Sequence, residues 1–146
     1  MTGDGMERAD KNKLLDVDPL MMDVLLEHYR HPHNFGSISP CDVDHEEGNP
    51  SCGDQIRMFM KIKDGTIEEI AYSGKGCIIS QAAASILTDM VKGRKVEEMR
   101  NLSKEEMLES IGIPIGPMRL KCALLALKVL KKGLYGKAFW SEDDDE

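Results

Sequence analysis

The sequence predicts an α+β domain, a small antiparallel sheet of about three strands with helices packed on one face. Three observations predict it. Ile56, Met58, Met60 and Ile62 alternate strictly with Arg57, Phe59, Lys61 and Lys63, so residues 55–63 form a strand with one buried face. Asp64-Gly65 follows directly as a tight hairpin turn, and residues 66–73 return antiparallel. Helical periodicity then takes over. Ile78, Ile79, Ala82, Ala83, Ile86, Leu87, Met90 and Val91 fall on one continuous face that ends at Gly93.

The other elements follow in chain order. Residues 1–18 are polar and aperiodic and read as a flexible leader. A helix over 19–30 has Asp18 as N-cap and Pro19 at its first position, with an apolar stripe of Leu20, Met21, Val24, Leu25 and Tyr29. Pro32 ends it, and HPHNFG is the exit loop. A weaker strand over 38–45 is interrupted by Pro40. Apolar parity switches between Ile67 and Ile70, which predicts a bulge at Glu68–Glu69. Ser103 and Glu106 make a capping-box pattern for a short helix over 103–110. IGIPIGP breaks it, and a last helix runs from Pro117 to Lys132, stopped by Gly133. The domain thus spans 19–140, with 141–146 as a disordered acidic tail.

Composition sets limits. The 146 residues are 41% apolar and 31% charged, enough for one domain with its own core. No apolar run approaches the roughly 20 residues that span a bilayer, which excludes a membrane helix. The N-terminus lacks the apolar core of a signal peptide, so a cytoplasmic location is expected. Of the net charge of −7, Glu142, Asp143, Asp144, Asp145 and Glu146 supply most. No basic cluster is interleaved with aromatics, which excludes nucleic-acid binding.

Four cysteines in a reducing compartment, none in a CxxC pair, set metal or sulfur chemistry against simple burial. Cys52 lies in GNPSCGD, where glycine allows close backbone approach, and Asp54 two residues on points to the same side of an extended chain. Cys77 follows Gly74-Lys75-Gly76 at the start of the most apolar helix, where free N–H groups and the helix dipole favour thiolate. Cys122 falls on the apolar stripe of the last helix beside Lys121 and three residues after Arg119, cations that favour thiolate. Cys41, beside Pro40, has no such surroundings and stays outside the set. His28, His31, His33 and His45 lack helical zinc-pair spacing and read as surface or loop-packing residues. Three cysteines and a carboxylate suffice to close a tetrahedral zinc site. They also supply two outer ligands to each iron of a [2Fe–2S] cluster.

At these residues the chain resembles the IscU-type iron–sulfur scaffold family, which includes the N-terminal part of nitrogen-fixation scaffolds. GNPSCGD, GKGCIISQAAAS and PMRLKCALLA resemble its three cysteine motifs in order, 25 and 45 residues apart, and HPHNFG its early loop. The resemblance runs from Val24 to Leu134. It implies a scaffold and cluster carrier rather than an enzyme, with Cys52, Cys77, Cys122 and Asp54 holding the cluster. It also implies persulfide sulfur from a cysteine desulfurase, delivery to apo iron–sulfur proteins or carriers, and room for an electron donor such as a ferredoxin and for a homodimer. Zinc is the alternative occupant when no cluster is held.

Two departures from bacterial housekeeping members stand out. Lys121 replaces a histidine before the third cysteine; its ammonium has no lone pair to give a metal, which leaves Asp54 as fourth ligand. An ion pair between Lys121 and Asp54 in the empty protein is expected. Ile115-Gly116-Pro117-Met118-Arg119 replaces the Leu-Pro-Pro-Val-Lys segment recognised by a dedicated Hsp70-type chaperone, so that partnership is not expected. The alternative function is a zinc-bound sulfur acceptor, whose branch carries an insertion between the second and third cysteines that this chain lacks.

Overall fold

The computed structural model describes residues 18–50, 52–136 and 139–140. The expected leader, apart from Asp18, and the acidic tail over 141–146 lie outside the described residues. Helix α1 (Pro19–Arg30) starts as predicted, with Asp18 accepting a hydrogen bond from the Leu20 N–H at 2.9 Å. Its orientation differs from the expected stripe. Leu25 is buried and Met21, Met22 and Leu26 are half-buried, while Leu20, Val24 and Tyr29 are exposed. Met21-Met22 and Leu25-Leu26 offer an equally periodic face one position round, and that face packs.

Strands β1 (Val43–Asn49), β2 (Asp54–Lys63) and β3 (Thr66–Lys75) form an antiparallel sheet in the order β1-β2-β3. Asp64 and Gly65 both have positive φ (54° and 76°), the backbone a two-residue hairpin needs. Lys61 pairs with Glu69 and Ile62 with Ile67, leaving Glu68 as the extra residue, so the bulge falls where parity predicted it. Strand β1 begins later than the expected 38–45 and runs further, because Pro40 offers no N–H to a ladder. Phe59 points to the outer face as predicted, yet it is only 6% exposed, with the Arg57 guanidinium 4.9 Å from its ring centroid.

Helix α2 (Ile78–Val91), a 3₁₀ turn (Val96–Asn101), α3 (Lys104–Ile111) and α4 (Leu120–Tyr135) complete the chain. α3 carries the predicted capping box, with Ser103 Oγ accepting from the Glu106 N–H and Glu106 accepting from the Ser103 N–H. The last helix departs from expectation at both ends. A 3₁₀ turn (Pro117–Arg119) precedes it, and Gly133 lies inside it rather than stopping it. A Cβ at Gly133 would come within 3.0 Å of Val43 Cγ1 and 3.2 Å of His45 Cβ, so the glycine lets α4 lie close on β1. The core fills the space between sheet and helices, and Ile56, Met58, Met60, Leu87, Leu124 and Leu127 are all buried in it. No helix among the described residues is long and apolar enough to cross a membrane.

Candidate metal centre

Four elements meet at one end of the sheet. Cys52 sits in the turn between β1 and β2, Asp54 opens β2, Cys77 caps α2, and Cys122 lies in the first turn of α4. The structure therefore brings together all four predicted ligands. Cys52, Asp54 and Cys122 each offer a donor atom within 4.8 Å of the other two. Cys77 Sγ lies 3.8 Å from Asp54 Oδ2, and Cys122 Sγ lies 3.3 Å from Cys52 Sγ.

Asp54 is the hub. The residue is only 3% exposed, and its Oδ1 accepts a hydrogen bond from the Cys77 N–H at 2.8 Å. That bond satisfies one of the donors orphaned at the start of α2 and leaves Oδ2 toward the sulfurs. The approach depends on Gly76. Its φ is +141°, and a Cβ there would fall 2.3 Å from Asp54 Oδ1 and 2.8 Å from Asp54 Cα. The glycine read from the sequence as an opening before the sulfur is thus also a spacer between β3 and Asp54.

The cysteines are graded in exposure. Cys52 is exposed, Cys77 half-buried and Cys122 fully buried. Cys77 Sγ accepts from the Ser80 N–H at 3.4 Å, the N-cap role usually filled by an oxygen. Asn49 Nδ2 donates to Cys122 Sγ at 3.9 Å. Burial first, then hydrogen bonding to Asp54 and Cys52, pushes the Cys122 thiol above its ordinary pKa. The free site therefore keeps a proton on Cys122 that any metal must displace.

Cationic help comes from Arg119. The charge of Cys77 and a hydrogen bond to its sulfur, followed by the charges of Cys122 and Cys52, raise the guanidinium above its ordinary value. Lys121 does not play the expected part. It is exposed, and no ion pair joins it to Asp54 among the described residues. The physical reason is that Asp54 is buried against the start of α2, while Lys121 projects outward from α4. Arg119 was visible as a cation near Cys122, three residues earlier; its reach to all three sulfurs was not. Asn49 was missed, although it belongs to the GNPSCGD motif. Cys41 lies apart from the centre, within electrostatic reach of Arg57 on the outer face of the sheet, a cation that sequence adjacency does not reveal.

The donor set fits a soft or borderline metal, because thiolates select zinc and iron–sulfur cores and a single carboxylate completes four ligands. Access is provided at Cys77. A shallow depression of about 420 Å³, lined by Met22, Leu25, Leu26, Ile78, Ile113 and Arg119, opens beside its sulfur.

The chain is similar to several known proteins. A zinc-dependent sulfurtransferase, SufU, from Bacillus subtilis is 35% identical over 136 residues, covering 82% of this chain and 92% of that protein. An iron–sulfur cluster assembly scaffold protein, IscU 1, from Archaeoglobus fulgidus is 31% identical over 112 residues, covering 77% of this chain and 72% of its own. The N-terminal part of a NifU-like protein from Brucella abortus shares the fold, with a TM-score of 0.65 at 21% identity over 80% of this chain and 96% of that one. The family model for the NifU-like N terminal domain matches residues 20–138, nearly the whole described chain, and the chain belongs to that family.

Proposed function

We propose that this protein is a scaffold on which an iron–sulfur cluster of the [2Fe–2S] type is assembled and from which it passes to apo-proteins. The observation that carries the reading is the convergence of Cys52, Cys77, Cys122 and Asp54 from four separate elements. The cluster is cargo, and the site is suited to releasing it. Cys52 stands open to solvent, and the carboxylate oxygen of Asp54 holds iron less firmly than a thiolate would.

Sulfur arrives as persulfide from a cysteine desulfurase, through the depression beside Cys77. Persulfide sulfur must gain electrons to become cluster sulfide, so an external donor such as a ferredoxin is required. Loading removes the proton held on Cys122, and Arg119 offsets the negative charge that three thiolates and a carboxylate then accumulate.

A second reading is favoured by the similarity to a zinc-dependent sulfurtransferase. In it the same four residues hold Zn²⁺, and a cysteine leaves the metal to accept sulfur. Against it stands the 45-residue spacing of Cys77 and Cys122, taken up by α2, α3 and two 3₁₀ turns, where an insertion is expected for that branch.

Anaerobic purification with iron, sulfide and zinc analysis separates the two. The scaffold reading expects about two irons and two sulfides per chain after reconstitution, with a visible chromophore. Cys52→Ser, Cys77→Ser and Cys122→Ser should each lose it, and Cys41→Ser should keep it. A colourless protein with one tight zinc that accepts sulfur but builds no chromophore selects the second reading.

A further inference from the structure

We propose that His28, His33 and Asp89 form a second metal site, for a divalent first-row ion such as Zn²⁺, Co²⁺ or Ni²⁺, remote from the cysteines. Cys77 and Asp89 lie at opposite ends of α2, and 12 residues of helix separate them by about 18 Å. The two centres therefore share no ligand.

The three side chains come from three places: α1, its exit loop, and the last turns of α2. Each offers a nitrogen or oxygen within 4.8 Å of the other two. The two imidazole rings lie 4.5 Å apart between centroids, tilted by 48°. Metal–nitrogen bonds of roughly 2.0–2.1 Å set tetrahedral donors about 3.3 Å apart, so His33 Nδ1 and Asp89 Oδ2 part slightly while the wider pairs close by up to about 1.5 Å. Half-exposed side chains at His33 and Asp89 can make that movement.

Outer partners already orient the ligands. Ser85 Oγ meets His28 Nδ1 at 2.8 Å and accepts from the His33 N–H at 2.8 Å. Asn34 Nδ2 donates to Asp89 Oδ1 at 2.9 Å and to Thr88 Oγ1 at 3.0 Å. Ser85 and Thr88 are both fully buried, so this frame is rigid. Such fixing of one ring nitrogen by a neighbour, with the other left for metal, is how histidine ligands are usually prepared.

A metal-free latch is the competing explanation, since His33 Nδ1 already meets Asp89 Oδ2 at 2.5 Å. A latch needs only that pair. It makes no use of the second imidazole, whose ring centroid lies 4.5 Å from the first. Two imidazoles and one carboxylate, with no sulfur, are instead a borderline-metal donor set. A bound ion takes the place of the hydrogen bond between His33 and Asp89 and ties α1 and its exit loop to α2.

The test is a Co²⁺ titration of the full-length, reduced protein under anaerobic conditions, read by absorption and by imidazole proton NMR. Cobalt on thiolates gives intense near-ultraviolet charge transfer; cobalt on imidazole and carboxylate gives only weak visible bands. Two binding classes are expected, the second without charge transfer and accompanied by paramagnetic shifts of the His28 and His33 rings. His33→Asn and Asp89→Asn, which retain hydrogen-bonding groups, should each weaken the second class by about tenfold or more and leave the first unchanged. Absence of any class without charge transfer overturns the proposal. So does a second class that survives both substitutions, or one that leaves the His28 and His33 resonances in place. Failure of the charge-transfer class alone would count against the cysteine centre and not against this site.

Discussion

The two ends of α2 solve opposite problems with the same helix. At its N-terminus, three sulfurs and one carboxylate meet with weak, long contacts: 3.3 Å between two sulfurs, 3.8 Å from sulfur to carboxylate, 3.9 Å from the Asn49 amide to sulfur. Near its C-terminus, imidazoles, an amide, hydroxyls and a carboxylate are knit by bonds of 2.5–3.0 Å. Nitrogen and oxygen donors orient one another there, and the network ties α1 and its exit loop to α2. Sulfurs satisfy one another poorly, so the thiol end retains its capacity to bind something else. Reactivity in this fold therefore concentrates where hydrogen bonding is least complete.

The largest effect that could break this contrast comes from Gly76→Ala. The new Cβ collides with Asp54 backbone as well as with its carboxylate, at a φ that alanine avoids. Cluster or metal loading should be lost, with stability reduced by about 1–3 kcal/mol in denaturant titration. Gly116→Ala is the control. Its φ is −76° and a Cβ there meets nothing within 4 Å, so loading should be unchanged. Normal loading by Gly76→Ala would mean that the close approach of β3 to Asp54 is not what builds the site.

A smaller effect distinguishes Arg119 from Lys121. Arg119→Ala should slow loading severalfold, because it removes the cation that faces the three sulfurs. Lys121→Ala should change the loading rate little, since Lys121 forms no ion pair with Asp54. Stopped-flow absorption during reconstitution compares them, and the reverse order of effects would restore Lys121 to the mechanism.

These residues also show what was legible in the sequence. β2, the hairpin, the bulge at Glu68 and α2 were readable because apolar periodicity there coincides with burial. β1 was misplaced because its inward side carries His45 and Glu47. His45 Nε2 meets Glu47 Oε2 at 2.6 Å, and Lys132 Nζ lies 3.7 Å from the same oxygen. A half-buried face made of charged pairs leaves no apolar signal. α4 was ended too early because Gly133, read as a stop, is a contact surface for β1. The four side chains that converge at the start of α2 could be singled out from glycine context and helix position. The preference for Arg119 over Lys121 was not legible, because a 3₁₀ turn before α4 sets the direction of both side chains. His28, His33 and Asp89 converge only through tertiary packing, 5 and 56 residues apart.

The smallest expected effect is alkaline destabilisation of the metal-free protein. Burial raises Tyr72 from 10.0 to about 12 and raises Cys122 as well. Both groups are neutral when protonated, and the folded state holds their protons more tightly than the unfolded one. Stability is therefore intact below pH 9 and falls as pH rises through 9 to 12. Tyr72→Phe should flatten part of that slope in thermal unfolding followed against pH, while lowering stability at neutral pH by about 1 kcal/mol through loss of the bond from its hydroxyl to the Gln81 carbonyl. An unchanged slope would show that Tyr72 ionises in the folded state as freely as in water.

Mössbauer spectroscopy of protein reconstituted with ⁵⁷Fe, in wild type and Asp54→Ala, tests most directly the claim that three thiolates and one carboxylate hold the cluster. The wild-type spectrum should resolve two ferric sites, one of them carrying the larger isomer shift of an oxygen ligand. Asp54→Ala should alter that site alone and slow transfer to an apo-protein acceptor. Two equivalent sites in the wild type, or a spectrum indifferent to Asp54→Ala, would contradict the account.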